Sequence, residues 1–285
     1  YSSMLVRNTY YHFPEPRINL RYLMDNNWSL KASAGSMVQY LSLLTGNGIG
    51  IPTDLWVPST PRIRPQQSRQ VALGIAKGWN QQRYTAELEV YFKDMKNLTS
   101  FDQGESFLAQ GRWQDKIVQG VGQSYGTELL LKKTKGATTG WISYTLAWTD
   151  RQFEEINRGQ RFYYKYDRRH DFSLVVAHQF SERWEASMVW TYGSGHRTTL
   201  PVNTFGVQIP LGFGEEDPRS ITVDAPDRIN NIQLPAYHRL DLSMSFIKKK
   251  KKWTRRLSVG IYNVYNRQNP SFLFLVRENN RPRYR

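Results

Sequence analysis

At 285 residues the chain has room for one sizeable all-β unit or two ordinary domains, and no shift in composition marks a boundary. Hydrophobic residues make up 39% and are aromatic-rich, with 17 Tyr and 9 Trp, while the lack of cysteine excludes disulfide frameworks and thiolate metal sites. The formal charge of +15 invites a nucleic-acid partner, but outside Lys248 to Lys252 the basic residues are scattered and no helix-turn-helix, zinc-finger or ribonucleoprotein motif appears, so none is expected.

No apolar run approaches the roughly 18 residues of a spanning helix, so a membrane could be crossed only by strands. A barrel strand needs about 10 residues with half of them facing lipid, which is compatible with a mean hydropathy of -0.62. In chain order, the first hairpin is Ile18 to Met24 and Trp28 to Ala34, joined by the polar turn Asp25-Asn26-Asn27. A long Gly- and Pro-rich loop from Leu43 to Gln67 follows. Strand character returns with Val71, Leu73 and Ile75, and a turn near Gly78 to Gln82 leads into Tyr84 to Phe92. There Tyr84, Ala86, Leu88, Val90 and Phe92 share one parity against Thr85, Glu87 and Glu89, so one face is apolar and the other polar.

A polar stretch then runs to about Gln119, before Tyr125 to Leu131 and Trp141 to Trp148 close over Lys135-Gly136. The loop Asp150 to Tyr166 precedes Phe172 to Phe180 and Trp184 to Tyr192, joined by Ser181-Glu182-Arg183. The longest loop, Gly193 to Ala236, leads to Leu240 to Phe246 and Leu257 to Ile261 around the lysine-rich turn, with Phe272 to Val276 beyond. About ten strands with connections that alternate short and long have the asymmetry of a transmembrane antiparallel up-and-down β-barrel. Trp28, Trp79, Trp141, Trp184 and Trp253 sit beside the short turns, where they would form one interfacial girdle. A soluble sandwich remains an alternative, because its strands alternate too.

The densest cluster of catalytic residue types is Tyr166-Asp167-Arg168-Arg169-His170-Asp171. An Asp could orient an imidazole to activate a nucleophile, but strand neighbours point to opposite faces. Asp167, Arg168 and His170, with Arg239 and Asp241 of Tyr237-His238-Arg239-Leu240-Asp241, are therefore expected to form a charged network on a lumen wall or rim. The five histidines are dispersed without metal-ligand spacing, so no metal or other cofactor is expected. Asp54, Trp56, Arg62 and Arg64, in and after Asp54-Leu55-Trp56-Val57-Pro58, are candidate ligand contacts in a long outer loop. The glycine pairs of Gly120-Val121-Gly122, Gly193-Ser194-Gly195 and Gly212-Phe213-Gly214 lack a following helix and are turn or kink glycines.

Several strings, taken in order, resemble the C-terminal barrel portion of Bacteroidota-type TonB-dependent outer-membrane receptors. They are Glu15-Pro16-Arg17, Asp54 to Pro58, Tyr125-Gly126-Thr127-Glu128-Leu129, Tyr166 to Asp171, Tyr237 to Asp241, and Tyr262-Asn263-Val264-Tyr265-Asn266-Arg267-Gln268-Asn269-Pro270. The resemblance implies a barrel of about 22 strands, with residues 1–285 as a single partial barrel domain; the N-terminal plug and the final strand would lie outside it. Tyr1-Ser2-Ser3-Met4-Leu5-Val6-Arg7 looks like neither a signal peptide nor a translation start, so a fragment is expected.

The implied activity is energy-coupled import of a scarce glycan, peptide or metal chelate across the bacterial outer membrane, without breaking a bond. The implied partners are outer-membrane lipid, an inner-membrane energy-coupling protein acting through the plug, and a surface lipoprotein lid. The competing function is a stand-alone ten-stranded outer-membrane barrel enzyme, a protease or lipase, which would need a converged carboxylate-histidine or Ser-His pair.

Overall fold

The period of two is realised as strands with chemically different faces. The computed structural model describes residues 1–44, 55–102, 112–200, 203–209, 219–270, 275–278 and 281–284. Ten strands form a meander: β1 Arg17–Met24, β2 Trp28–Gln39, β3 Gln66–Trp79, β4 Tyr84–Phe101, β5 Ile117–Lys133, β6 Thr138–Gln152, β7 His170–Gln179, β8 Trp184–Gly193, β9 Tyr237–Lys249 and β10 Thr254–Ile261. Each pairs antiparallel with its neighbours in sequence, and Phe162–Tyr163 adds an eleventh, two-residue strand to the end of β6. The sheet is open: β1 and β10 are its two edges and do not pair with each other. No α-helix occurs among the described residues, only three single turns of 3-10 helix.

Tight reversals gather at one end. Asn26 and Asn27, with φ of 59° and 62°, turn β1 into β2, and Gly136, with φ of 102°, turns β5 into β6. Between β7 and β8 the Ser181 hydroxyl accepts from the backbone N–H groups of Arg183 and Trp184 at 3.3 and 3.2 Å. Between β9 and β10 the N–H of Lys250 donates to the Trp253 carbonyl at 2.8 Å. All long connections leave from the opposite end, as the alternation of short and long loops predicts.

The register aligns the alternation across strands. Leu88 lies opposite Leu129 and Ile75, and Ile142 opposite Leu131 and Leu174, so apolar rows run across the sheet. That face is bare: Leu20 is 66% exposed, Leu73 62% and Val259 69%. Monomeric soluble proteins rarely leave so large a contiguous apolar surface. No second sheet covers it among the described residues, which removes the sandwich alternative. Buried apolar clusters sit instead at the long-loop end, one of Leu98, Phe153, Ile156 and Ile229, the other of Leu44, Val57 and Phe101.

Three details differ from the sequence reading. Strand β4 runs on to Phe101 and β5 begins at Ile117, so much of the expected polar stretch is strand. Alternation is already lost at Asp94 and Met95; a bulge at Asn97, with φ of 56°, then shifts the register, and the strands beyond it pack against loops. Ser2–Val6 and Thr9–Phe13 form an additional hairpin. Finally, Trp141 has the parity of Ser143 and Thr145, on the polar face, whereas Trp28, Trp79 and Trp184 share the apolar parity.

Candidate functional site

The polar face of the sheet is a hydrogen-bonded wall. Lys31 on β2 reaches across Gly74 to Glu87 on β4 at 2.7 Å. Ser187 meets Ser243 at 2.7 Å, Ser245 meets Ser258 at 2.8 Å, and Ser124 meets Thr149 at 3.0 Å. Arg256 pairs with Glu185 at 2.9 Å. Each contact joins side chains of one parity, so a polar surface runs from the tight turns to the long loops.

At the long-loop end this wall leads into arginines, carboxylates and aromatic rings. The buried Asp167 carboxylate accepts from the Thr149 N–H at 2.8 Å and from Arg169 at 3.3 Å. The Arg169 guanidinium lies 4.4 Å from the Trp148 ring centroid, and that of Arg151 lies 3.4 Å from the Tyr164 centroid. Arg168 donates to Asp171 at 2.7 Å and to Nε2 of His196 at 3.0 Å. Because arginine only donates, His196 accepts with a neutral ring that carries its proton on Nδ1. Burial pushes its pKa down from the ordinary value and the Arg168 charge adds to this, against a smaller opposing pull from Asp171. Among the described residues, Nε of Arg151, Arg168 and Arg197 and Nδ1 of His196 are buried donors without an acceptor.

The elements of a nucleophilic site stay apart. His170 turns its ring to the Tyr144 hydroxyl at 2.8 Å, on the same side of the sheet as Phe172 and Leu174, while Ser194 Oγ accepts from the His170 backbone N–H at 3.0 Å. Among the described residues no hydrogen bond joins Asp167 to His170. On β9, Arg239 donates to Asp241 and to the Tyr237 hydroxyl, each at 3.0 Å, also donates to the Tyr262 hydroxyl, and lies 4.2 Å from that ring's centroid. Asp241 accepts from the Asn263 N–H at 2.9 Å, and Asn269 holds both the N–H and the C=O of His238, at 3.0 and 2.9 Å. The strings Tyr237 to Asp241 and Tyr262 to Pro270 are thus two halves of one interlocked rim.

Of the outer-loop candidates, Asp54 lies outside the described residues. Trp56 stands 57% exposed on the short hairpin of Leu41–Leu44 with Leu55–Pro58. Arg62 is engaged with Asp115, to which Arg112 also donates at 3.1 Å. Arg64 is fixed through its backbone, whose N–H and C=O meet the Gln119 side-chain amide at 3.0 and 2.8 Å, which leaves its side chain exposed.

A cleft that the sequence reading missed lies between the loops at 153–163 and 226–231. It encloses about 480 Å³ and is lined by Asp150, Arg161, Asp227, Arg228 and Asn231 among others. Arg161 bridges Asp150 and Gln123, each at 2.9 Å. A hydrogen bond from Asn231 at 2.8 Å holds the Asp227 carboxyl below its ordinary pKa. The positive φ of Asn157, Arg158 and Asn230 forms the turns that carry this lining. The available sequence signal was the Asn-rich turn chemistry of Asn230-Asn231. Both carboxylates and guanidiniums are presented, which suits a polar ligand held by several directed hydrogen bonds.

A family model described as TonB dependent receptor-like, beta-barrel matches residues 4–264. No curated protein matches the chain by sequence. Among solved structures, the chain is similar to the ferripyoverdine receptor of the outer membrane of Pseudomonas aeruginosa, with a TM-score of 0.56, 13% identity, and coverage of 92% of this chain and 29% of that one. It is similar to the FrpB iron transporter from Neisseria meningitidis, with a TM-score of 0.54, 12% identity, and 89% and 35% covered. It is also similar to the siderophore receptor PirA from Acinetobacter baumannii, with a TM-score of 0.53, 13% identity, and 88% and 37% covered. The chain therefore spans 29% to 37% of the length of these three receptors, and the likeness is one of fold.

Proposed function

Since the chain belongs to the TonB dependent receptor-like β-barrel family, whose members lie in the bacterial outer membrane, we propose that it supplies consecutive barrel strands to a receptor that imports a scarce ligand by energy coupling. The observation that carries this reading is the division of the sheet into a bare apolar face and a continuous hydrogen-bonded polar face. Turned outward, the first meets lipid tails; turned inward, the second lines a lumen.

Further strands complete the barrel between the open edges β1 and β10, because unpaired backbone groups in hydrocarbon each cost several kcal/mol. In this proposal residues 1–285 belong to one barrel domain, a plug occupies its lumen, and an inner-membrane energy-coupling protein pulls on that plug. The imported ligand is a glycan, a peptide or a metal chelate, and a surface lipoprotein lid of the Bacteroidota type covers the mouth. Ligand capture falls to the cleft of Asp150, Arg161 and Asp227 and to the exposed Trp56 and Arg64, all at the long-loop end.

The test is uptake by cells producing the complete receptor. Growth on a limiting glycan, peptide or iron chelate is compared between the wild type, Arg161→Ala and Asp227→Ala. Slower uptake of one ligand class by both variants, at unchanged surface abundance, supports the reading. Uptake unaffected by either would remove the cleft from it. Abolition of a hydrolytic activity by Asp167→Ala or His170→Ala, with uptake intact, would instead favour the barrel enzyme.

A further inference from the structure

One row of the apolar face has a gap at the tight-turn boundary. Across the sheet that row reads Tyr84, Lys133, Gly140, Val176 and Met188; the next row toward mid-sheet reads Ala86, Leu131, Ile142, Leu174 and Trp190. Gly140 is the missing tooth. A Cβ at this position would lie 2.1 Å from the Val175 carbonyl oxygen, so no side chain can rise there. The result is a trough of about 300 Å³, at the lower end of the usual range for ligand pockets, with an almost wholly apolar lining that includes Leu131, Ile142, Leu174 and Val176.

The boundary end of the trough is built differently from its floor. Trp79 and Tyr84 stack there with ring centroids 5.5 Å apart and planes 13° apart. The Lys133 ammonium lies 5.8 Å from the Tyr84 centroid. The two adjoining turns add Arg83 and Lys135, the latter tied to the Gln81 carbonyl at 2.7 Å, and no carboxylate pairs with any of these three cations among the described residues. An apolar channel ending in an aromatic bracket and a cluster of cations is complementary to a molecule with a hydrocarbon tail and an anionic head. In a barrel of this family the short turns face the periplasm, so the molecule comes from the periplasmic leaflet.

We propose that the Gly140 trough is a binding site for an anionic phospholipid, with one acyl chain along Leu131, Ile142 and Leu174 and the phosphate at Lys133. This goes beyond ligand import and rests on the outward orientation of the apolar face. Lys133 supplies the charge at the trough itself, while Arg83 and Lys135 add attraction near the membrane surface. The site would anchor the rotational setting of the barrel in its leaflet.

The test uses the complete receptor, purified as a folded barrel and checked by the heat-dependent shift of its electrophoretic mobility, so that loss of the barrel reads separately from loss of the lipid. Native mass spectrometry then measures retention of phosphatidylglycerol against phosphatidylcholine of identical chains. The wild type retains phosphatidylglycerol in preference. Lys133→Gln weakens that retention about fivefold, the factor of one surface cation, and Ile142→Trp, which fills the trough, weakens both lipids. The control is Lys77→Gln, a lysine of the same face 4.3 Å from the Trp28 ring but outside the trough. Equal retention of the two lipids by the wild type, no effect of Lys133→Gln, an equal effect of Lys77→Gln, or a lipid-insensitive dimer that covers the trough would each overturn the proposal.

Discussion

Asn157 acts toward Ile229 as a strand partner would: its Oδ1 accepts the Ile229 N–H at 2.8 Å and its Nδ2 donates to the Ile229 carbonyl at 3.3 Å, across 72 residues of sequence. Both residues are buried beside Ile156, which is fully inaccessible. The same device recurs where Asn231 holds Leu200, Asn269 holds His238 and Gln119 holds Arg64. Side-chain amides satisfy peptide groups that face no ladder partner, in loops and, at His238, on the side of β9 where pairing with β10 has not yet begun.

Replacing Asn157 with Leu leaves the buried Ile229 peptide unpaired, at a cost of about 1–3 kcal/mol. The loop at 226–231 is then expected to exchange its amide hydrogens faster and to be cut sooner by protease, while β5 and β6 keep their protection. Hydrogen-exchange mass spectrometry of the complete receptor measures both, and unchanged exchange at 226–231 would show that the apolar cluster alone holds the loops together.

The two faces of β9 make opposite predictions. Leu242 lies on the apolar face between Met188 and Ile261, and Ser243 on the polar face between Ser187 and Gly260. Leu242→Arg should destabilise the barrel by about 1 kcal/mol or more, since arginine on a lipid face costs about 0–1 kcal/mol near an interface and about 2–4 kcal/mol at the midplane. Ser243→Arg should leave the urea midpoint of vesicle-inserted receptor close to wild type. Equal effects would mean that the face assignment is wrong.

Two strand glycines separate in the same way. At Gly74 the nearest atoms to an added Cβ lie 3.5 Å away, whereas at Gly140 the Val175 oxygen lies at 2.1 Å. Gly74→Ala is therefore expected to be neutral or to gain up to about 1 kcal/mol from reduced chain entropy. Gly140→Ala must spread β6 from β7, at about 1–3 kcal/mol. The fraction of receptor resisting heat-induced mobility change, titrated with urea, distinguishes them.

Acid should loosen the contact of His196 with Arg168. The folded chain holds this imidazole less protonated than the unfolded chain, so stability rises with pH. The contribution is complete above about pH 6.5, the free value, and is lost as pH falls toward the lowered folded value. Protonation removes the acceptor for Arg168 and sets two cations side by side, offset in part by Asp171. Amide exchange at Ser194 and Arg197, bonded to the carbonyls of His170 and Lys165, should accelerate between about pH 7 and about pH 5 beyond the intrinsic pH dependence, and His196→Gln should abolish that excess.

Much of the architecture was legible because it is local. The parity of Leu88 and Val90 against Glu87 and Glu89 assigns faces without knowledge of the partner strand, and the turns at Asp25 to Asn27 and Lys135-Gly136 fix hairpins within a few residues. The limits of that reading are equally specific. Nearness to a turn placed Trp141 in the expected girdle, yet it shares the face of Ser143. The alternation stopped at Phe92, while β4 continued to Phe101, because above the membrane band neither face needs to be uniformly apolar.

The candidate site was legible in its residue types and not in its partners. Asp167, Arg168, His170, Arg239 and Asp241 stood out as a charged set, but nothing local indicated that Asp167 would serve Thr149, that His170 would turn to Tyr144, or that Arg239 would meet Tyr262. The cleft around Arg161 and Asp227 joins loops far apart in sequence and left almost no local trace. By itself the sequence determined which side of each strand is apolar, where the chain reverses and hence the barrel class, since these depend on a period of two and on turn chemistry spanning a handful of residues. Only the tertiary structure decided register, the gap at Gly140 and the interlocking of the loops, because those follow from which distant peptide groups and side chains must satisfy one another once the strands lie side by side.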